Sequence, residues 1–205
     1  MATMILDPEL AERLKRERQE SGGDRYDEVW EGVYVMSLLA NDEHQEVVGG
    51  LASVFQIVIA WPGLGESRPG VNVSDRSEDW THNYRCPDIA VFLKNTTARN
   101  LDTHWLGGPD FAVEITSRGD RSRDKIPFYA AVDTRELLIV DRFPWKLELY
   151  RLEEGALGLV ATSTPEESEP LLSAVLPLSF RLQSAEGRRP RIEVAHQDGE
   201  QRWTV

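Results

Sequence analysis

The chain has 205 residues, 40% hydrophobic and 28% charged, the composition of an ordered globular protein long enough to bury its own core. A lone cysteine, Cys86, excludes an intramolecular disulfide, and one sulfur with four scattered histidines gives no zinc-finger spacing. The net charge of −12 argues against a protein that coats nucleic acid with its whole surface, because phosphate binding rests on Lys and Arg.

Three short clusters could still supply a local basic groove: Lys15/Arg16/Arg18, Arg118/Arg121/Arg123/Lys125 and Arg188/Arg189/Arg191. Charge patterning reads each first as a solvated face. The N-terminal MATMILDPEL lacks a signal-peptide apolar stretch. The apolar-leaning run from Val47 to Trp61 is broken by Gly49, Gly50, Ser53 and Gln56 and is too short for a bilayer, so the expected location is cytoplasmic, with no membrane partner.

Asp7-Pro8 predicts a capped first helix with Leu10 and Leu14 on its apolar side, closed by Gly22-Gly23; being mostly polar, it reads as a peripheral addition over residues 1–24. Tyr26 to Ser37 reads as a hairpin turning at Glu31-Gly32. Asn41-Asp42 caps a second helix, in which Val47, Leu51, Val54, Phe55, Val58 and Ile59 recur at spacings of three and four until Trp61-Pro62-Gly63.

Val71–Val73, Asp88–Leu93 and Phe111–Ile115 read as strands, and Asp124–Val132 as a short helix with Pro127 in its first turn. Strands follow at Glu136–Asp141 and Leu147–Leu152, then a Glu- and Pro-rich loop near Pro165–Pro170, a strand at Leu178–Leu182 and a closing hairpin across Asp198-Gly199. Helix, hairpin, helix, three strands, helix and strands in that order predict an α/β fold with a mixed sheet and helices on its faces. The division drawn from this order is a main domain over 25–183 and a C-terminal hairpin extension over 184–205.

Two carboxylates sit in strands that otherwise look buried: Asp88 opens DIAVFL after Pro87, and Glu114 lies within FAVEITS. A buried carboxylate must be paired, hydrogen-bonded, protonated or bound to a cation. For either residue alone, a paired structural role is the simpler account. On neighbouring strands, the two would make an oxygen-rich site for Mg²⁺ or Mn²⁺.

Pro87-Asp88, then Val113-Glu114-Ile115-Thr116-Ser117, then Asp124-Lys125 and Tyr129 resemble the Uma2 family (DUF820) of the PD-(D/E)XK nuclease superfamily. The flanking text agrees: Glu28-Val29-Trp30-Glu31-Gly32 resembles the family's N-terminal hairpin, His44 the histidine opening its first core helix, and Arg135 to Asp141 its following strand. The resemblance covers about Tyr26 to Leu152, with a weaker echo at Leu176–Leu182.

It implies a restriction-endonuclease-like αβββαβ core and metal-dependent hydrolysis of DNA, with Asp88, Glu114 and the Ile115 carbonyl as metal ligands. The superfamily's usual lysine, two residues after the glutamate, is replaced here by Thr116. Lys125, in the following helix, is then the candidate catalytic lysine, with Tyr129 one turn on. A surface lysine paired with Asp120 or Asp124 is the other account of it.

Secondary candidates are Glu28 and Glu31 as extra carboxylates, His44 as base or phosphate contact, and Ser117 as a hydrogen-bonding residue in the neighbourhood of Glu114 or a cap of the following turn. Hairpin glutamates are usually solvated, and a histidine in a helix's first turn is usually an ordinary polar residue. The six tryptophans read as packing residues rather than base-stacking platforms. Two rival functions stay open: a nuclease fold serving as an inactive binding or assembly module, and an acid–base pair on a glycoside, for which the sequence offers no sugar-sized cleft. A homodimer that joins two basic clusters would help an acidic nuclease engage DNA.

Overall fold

The computed structural model describes residues 2–37, 40–186 and 189–205; Arg188 of the third basic cluster lies outside them. In chain order the elements are β1 (Thr3–Ile5), α1 (Pro8–Ser21), β2 (Glu28–Trp30), β3 (Val33–Met36), α2 (Asp42–Phe55, continued by a π-helical turn Gln56–Ala60), β4 (Gly65–Pro69), β5 (Val73–Ser74), β6 (Tyr84–Arg85) and β7 (Ile89–Leu93). There follow β8 (Arg99–Asn100), β9 (Trp105–Leu106), β10 (Phe111–Ile115), α3 (Ile126–Ala131, entered through a 3₁₀ turn Ser122–Lys125), β11 (Glu136–Arg142), β12 (Trp145–Glu153) and β13 (Ala156–Ser163). The chain closes with β14 (Leu171–Leu172), β15 (Leu178–Gln183), β16 (Arg191–His196) and β17 (Arg202–Thr204). No helix among the described residues is long and apolar enough to cross a membrane.

Local chemistry accounts for the helix ends. The Asp7 side chain accepts from Leu10 N, and Gly22 closes α1 in the left-handed region at φ 70°. Asn41 caps α2 by accepting from His44 N, which fixes where His44 leaves the helix.

The central sheet runs β13-β12-β11-β10-β7-β4. β4, β7 and β10 form an antiparallel meander, and β10 pairs with β11 in parallel, the crossover being α3. Thus α2, β4, β7, β10, α3 and β11 make the αβββαβ core of a restriction-endonuclease-like fold.

The alternation of β10 divides the packing. Phe111, Val113 and Ile115 join Val47, Leu51, Val54 and Phe55 of α2 in one buried cluster. Ala112 faces the other way, into a cluster with Phe128, Tyr129 and Val132. Ile192, Val194 and Val205 from the closing hairpin are buried in the first cluster, so residues 184–205 share the core of the main domain.

Two strand expectations need correction. The first strand of the meander is Gly65–Pro69 (GESRP), not Val71–Val73; Val73 pairs instead with β6 and β9 in a separate sheet. GESRP has no β-forming residue, and what holds it is its ladder with β7. β13 was unanticipated: Gly158 interrupts its pattern, and its hairpin turns on Glu154 and Gly155, both at positive φ.

Candidate functional site

Asp88 immediately precedes β7, and Glu114 lies near the end of β10, whose Val113 is opposite Ile89. Antiparallel pairing therefore brings the two carboxylates to one end of the sheet. The Ile115 N–H donates to Asp88 Oδ2 at 2.7 Å, tying Asp88 to the strand that carries Glu114. From the other face, the first turn of α2 places His44 Nε2 3.2 Å from Asp88 Oδ1. The second ring nitrogen of His44, Nδ1, is buried with no hydrogen-bond partner.

Glu114 is 3% exposed, and its surroundings come from α3 and β2. Lys125 Nζ stands 3.0 Å from both carboxylate oxygens, and the Tyr129 hydroxyl donates to Oε1 at 2.5 Å. Lys125 and Tyr129 reach the same carboxylate because residues four apart share a helical face. Pro127 sits in the first turn of α3, where its missing N–H disturbs nothing.

Lys125 Nζ also lies 2.8 Å from Glu28 Oε1. Glu28 in turn accepts from Trp30 Nε1 at 2.6 Å and from the Cys86 N–H at 2.8 Å. The hairpin aims Glu28 inward because Glu31 and Gly32 turn it at φ 47° and 81°, leaving β2 paired to β6 beside the site.

With Asp88, Glu114 and Glu28 ionised, three carboxylates face the single Lys125 ammonium. Glu114 bears the strain of this imbalance. Burial pushes its carboxyl up, Lys125 pulls it down, and Asp88 and Glu28 push it up again, to about 8. For Lys125, burial works against the charged form, but Glu114 and Glu28 outweigh it and hold the ammonium protonated. Burial and the Glu114 charge raise Tyr129, so its hydroxyl stays a donor.

A cavity of about 130 Å³ opens onto Asp88, Glu114, Lys125, His44 and Ser117. Among the described residues, no three His, Cys, Asp or Glu side chains form a ready-made metal cage. The cavity is lined by four carboxylates, Glu28, Asp88, Glu114 and Asp120, against the two cations Lys125 and Arg121, and by Ile115. Hard oxygen donors with room for water suit Mg²⁺ or Mn²⁺, ions that commonly keep several waters and take one or two carboxylates. A divalent cation therefore fits in donor type and charge.

Several expectations change here. Glu28 is not solvated but 2% exposed and part of the cluster. Glu31 is not: its side chain is 72% exposed, and it accepts from Asn83 Nδ2 at the turn, outside the cavity lining. Lys125 is a buried residue rather than a surface partner of Asp120 or Asp124. Thr116 donates to Asp141, and Ser117 Oγ accepts from Arg142 Nη2 at 2.9 Å.

Arg142 was missed altogether. It is 3% exposed and also binds the Thr116 carbonyl, Asn41 and Glu43, fastening the end of β10 to the start of α2. Its partners on α2 are about a hundred residues away in sequence, so no local pattern marks it. Of the other basic residues, Arg18 pairs with Asp27, Arg121 with Asp124, and Arg123 with Asp141 and Glu148. Among the tryptophans, Trp30 and Trp105 are buried as expected, whereas Trp61 is 77% exposed.

Residues 9–185 match the Uma2 family, described as "Putative restriction endonuclease". The fold is similar to a crystal structure described as a putative nuclease belonging to DUF820 from Anabaena variabilis ATCC 29413, with a TM-score of 0.57 and 17% sequence identity. That similarity spans 73% of this chain and 83% of the other, and at such identity it speaks to the fold alone. No curated protein matches the chain.

Proposed function

The chain belongs to the Uma2 family, and from that membership we propose that it is a divalent-metal-dependent endonuclease that hydrolyses DNA phosphodiester bonds, with Mg²⁺ or Mn²⁺ held by Asp88, Glu114 and the Ile115 carbonyl. The observation that carries this reading is the meeting of Asp88, Glu114 and Lys125 at one cavity where four carboxylates outnumber the two cations, Lys125 and Arg121. A bound divalent cation would supply Lewis acidity and neutralise charge that develops on the phosphate.

The protein's own groups have distinct tasks in this reading. The Ile115 amide and His44 orient Asp88. Tyr129 fixes one oxygen of Glu114. Lys125, poised by Glu28, provides a fixed positive charge for the pentavalent transition state. Its Nζ occupies the role that the superfamily's strand lysine fills, reached from the crossover helix instead.

The rival reading, a nuclease fold acting as a binding module, draws support from the contact of Lys125 with both Glu114 oxygens, which leaves that carboxylate closed. Supercoiled plasmid incubated with Mg²⁺ or Mn²⁺ separates the two. Nicking that disappears in Asp88→Ala and Glu114→Ala, and falls about a hundredfold or more in Lys125→Ala, is the expected result. No nicking, together with calorimetry showing no metal binding dependent on Asp88 and Glu114, would establish the binding module.

A further inference from the structure

A second groove lies next to the candidate site, beyond the contact between Ser117 and Arg142. Its volume is about 540 Å³, and Arg118, Phe143, Trp145, Pro165 and Pro190 are among the residues that line it. Phe143, in the turn between β11 and β12, is 44% exposed, although burying its ring would be favourable. The Arg118 guanidinium lies 5.3 Å from the centre of that ring, and the Arg142 guanidinium 5.5 Å.

The two arginines that line this groove, Arg118 and Arg142, and the neighbouring Arg189 are not equivalent. Arg142 is buried against Glu43, and Arg189 pairs with Glu46 while lying 5.6 Å from the Trp145 ring. Arg118 is exposed and has no carboxylate partner among the described residues. In a chain of net charge −12, a free guanidinium beside an exposed aromatic ring offers a combined site for an anion and a flat ring. Glu166 is the acidic residue of the lining.

The groove neighbours the candidate active site across one side-chain contact. Ser117 lines the first cavity, Arg118 follows it in the chain, and Arg142 joins the two cavities by donating to Ser117 Oγ. An intact duplex keeps its base faces stacked inside, out of reach of a protein ring, whereas an unpaired base exposes a face to it. A single strand also carries a lower charge density, which an acidic protein tolerates better.

We propose that this groove takes an unpaired nucleotide of the DNA strand, its base against Phe143 and its phosphate at Arg118, so that the preferred substrate carries a single-stranded stretch beside the scissile bond. The identity of the polymer rests on the nuclease reading above.

The test uses the wild-type protein in chelator, where nothing is cut. Fluorescence anisotropy compares a labelled single-stranded oligothymidylate with a duplex of the same length. The single strand binds more tightly; Phe143→Ala weakens it by about tenfold and Phe143→Trp restores it. Arg118→Ala weakens binding and reduces the salt dependence by about one counterion. Thermal melts of the variants check that each is folded.

Equal binding of strand and duplex, no binding of either, or affinity unchanged in Phe143→Ala and Arg118→Ala overturns the proposal. Groove-dependent binding with neither metal-dependent nicking nor metal binding dependent on Asp88 and Glu114 would sink the nuclease reading and leave the groove standing. Nicking with groove-independent binding would do the reverse.

Discussion

Replacing Glu28 with alanine removes one side chain and strands several donors. The carboxylate is 2% exposed and accepts from Cys86 N, Trp30 Nε1 and Lys125 Nζ at 2.8, 2.6 and 2.8 Å. Lys125 keeps Glu114, so its charge is weakened in support rather than abandoned. The Cys86 amide and the Trp30 indole lose the acceptor that satisfies them. A buried donor left without a partner costs about 1–3 kcal/mol, so the two together account for about 2–6 kcal/mol.

Part of this is offset, because Glu28 is one of the like charges that push Glu114 up. A net loss of about 3 kcal/mol follows, which in a chain of this size lowers Tm by about 10 °C. Urea unfolding followed by tryptophan fluorescence should show the midpoint move at constant m. Glu28→Gln, which keeps an acceptor, should recover about half of the loss. A loss below about 1 kcal/mol in Glu28→Ala would refute the view that this carboxylate is a structural clamp of the site.

Mn²⁺ at about a hundred times its Kd should stabilise the folded chain by about 2.7 kcal/mol in thermal melts, and Asp88→Asn or Glu114→Gln should abolish that gain. In chelator, stability should fall as pH rises from 4.5 through about 8, because folded Glu114 keeps its proton in a range where the unfolded chain releases it. Glu114→Gln should flatten that slope, and identical pH profiles for the two proteins would contradict the assigned cause. Gly49→Ala meets open space on α2 and should stabilise by up to about 1 kcal/mol. At Gly50 an added Cβ would stand 2.5 Å from Val205 Cγ1, so Gly50→Ala should destabilise by about 1–3 kcal/mol in the same urea assay.

Sequence reading succeeded where a short stretch of chain carries its own instruction. Asp7 and Gly22 cap α1, the spacing of Val47, Leu51 and Val54 builds α2, and Glu31-Gly32 and Asp198-Gly199 turn hairpins. It failed where a distant partner decides. GESRP becomes a strand only because β7 lies beside it, and Glu28 is buried only because Cys86 and Lys125 arrive from much later in the chain.

The same holds for the candidate site. Asp88 and Glu114 stand out as carboxylates in apolar strands, whereas Arg142 opens an ordinary-looking turn and reveals nothing of its bonds to α2. His44 is readable as a candidate base or phosphate contact, but its approach to Asp88 depends on how α2 crosses the sheet.

The parallel pair β10–β11 has a consequence for how such proteins are recognised. Two parallel neighbours cannot be joined by a tight turn, so some element must climb over the sheet, and here that element brings an ammonium group back to Glu114. The ammonium beside Glu114 thus comes from eleven residues further along the chain. A search string that demands lysine two places after glutamate overlooks this solution; a template of atoms, indifferent to chain order, would retrieve it.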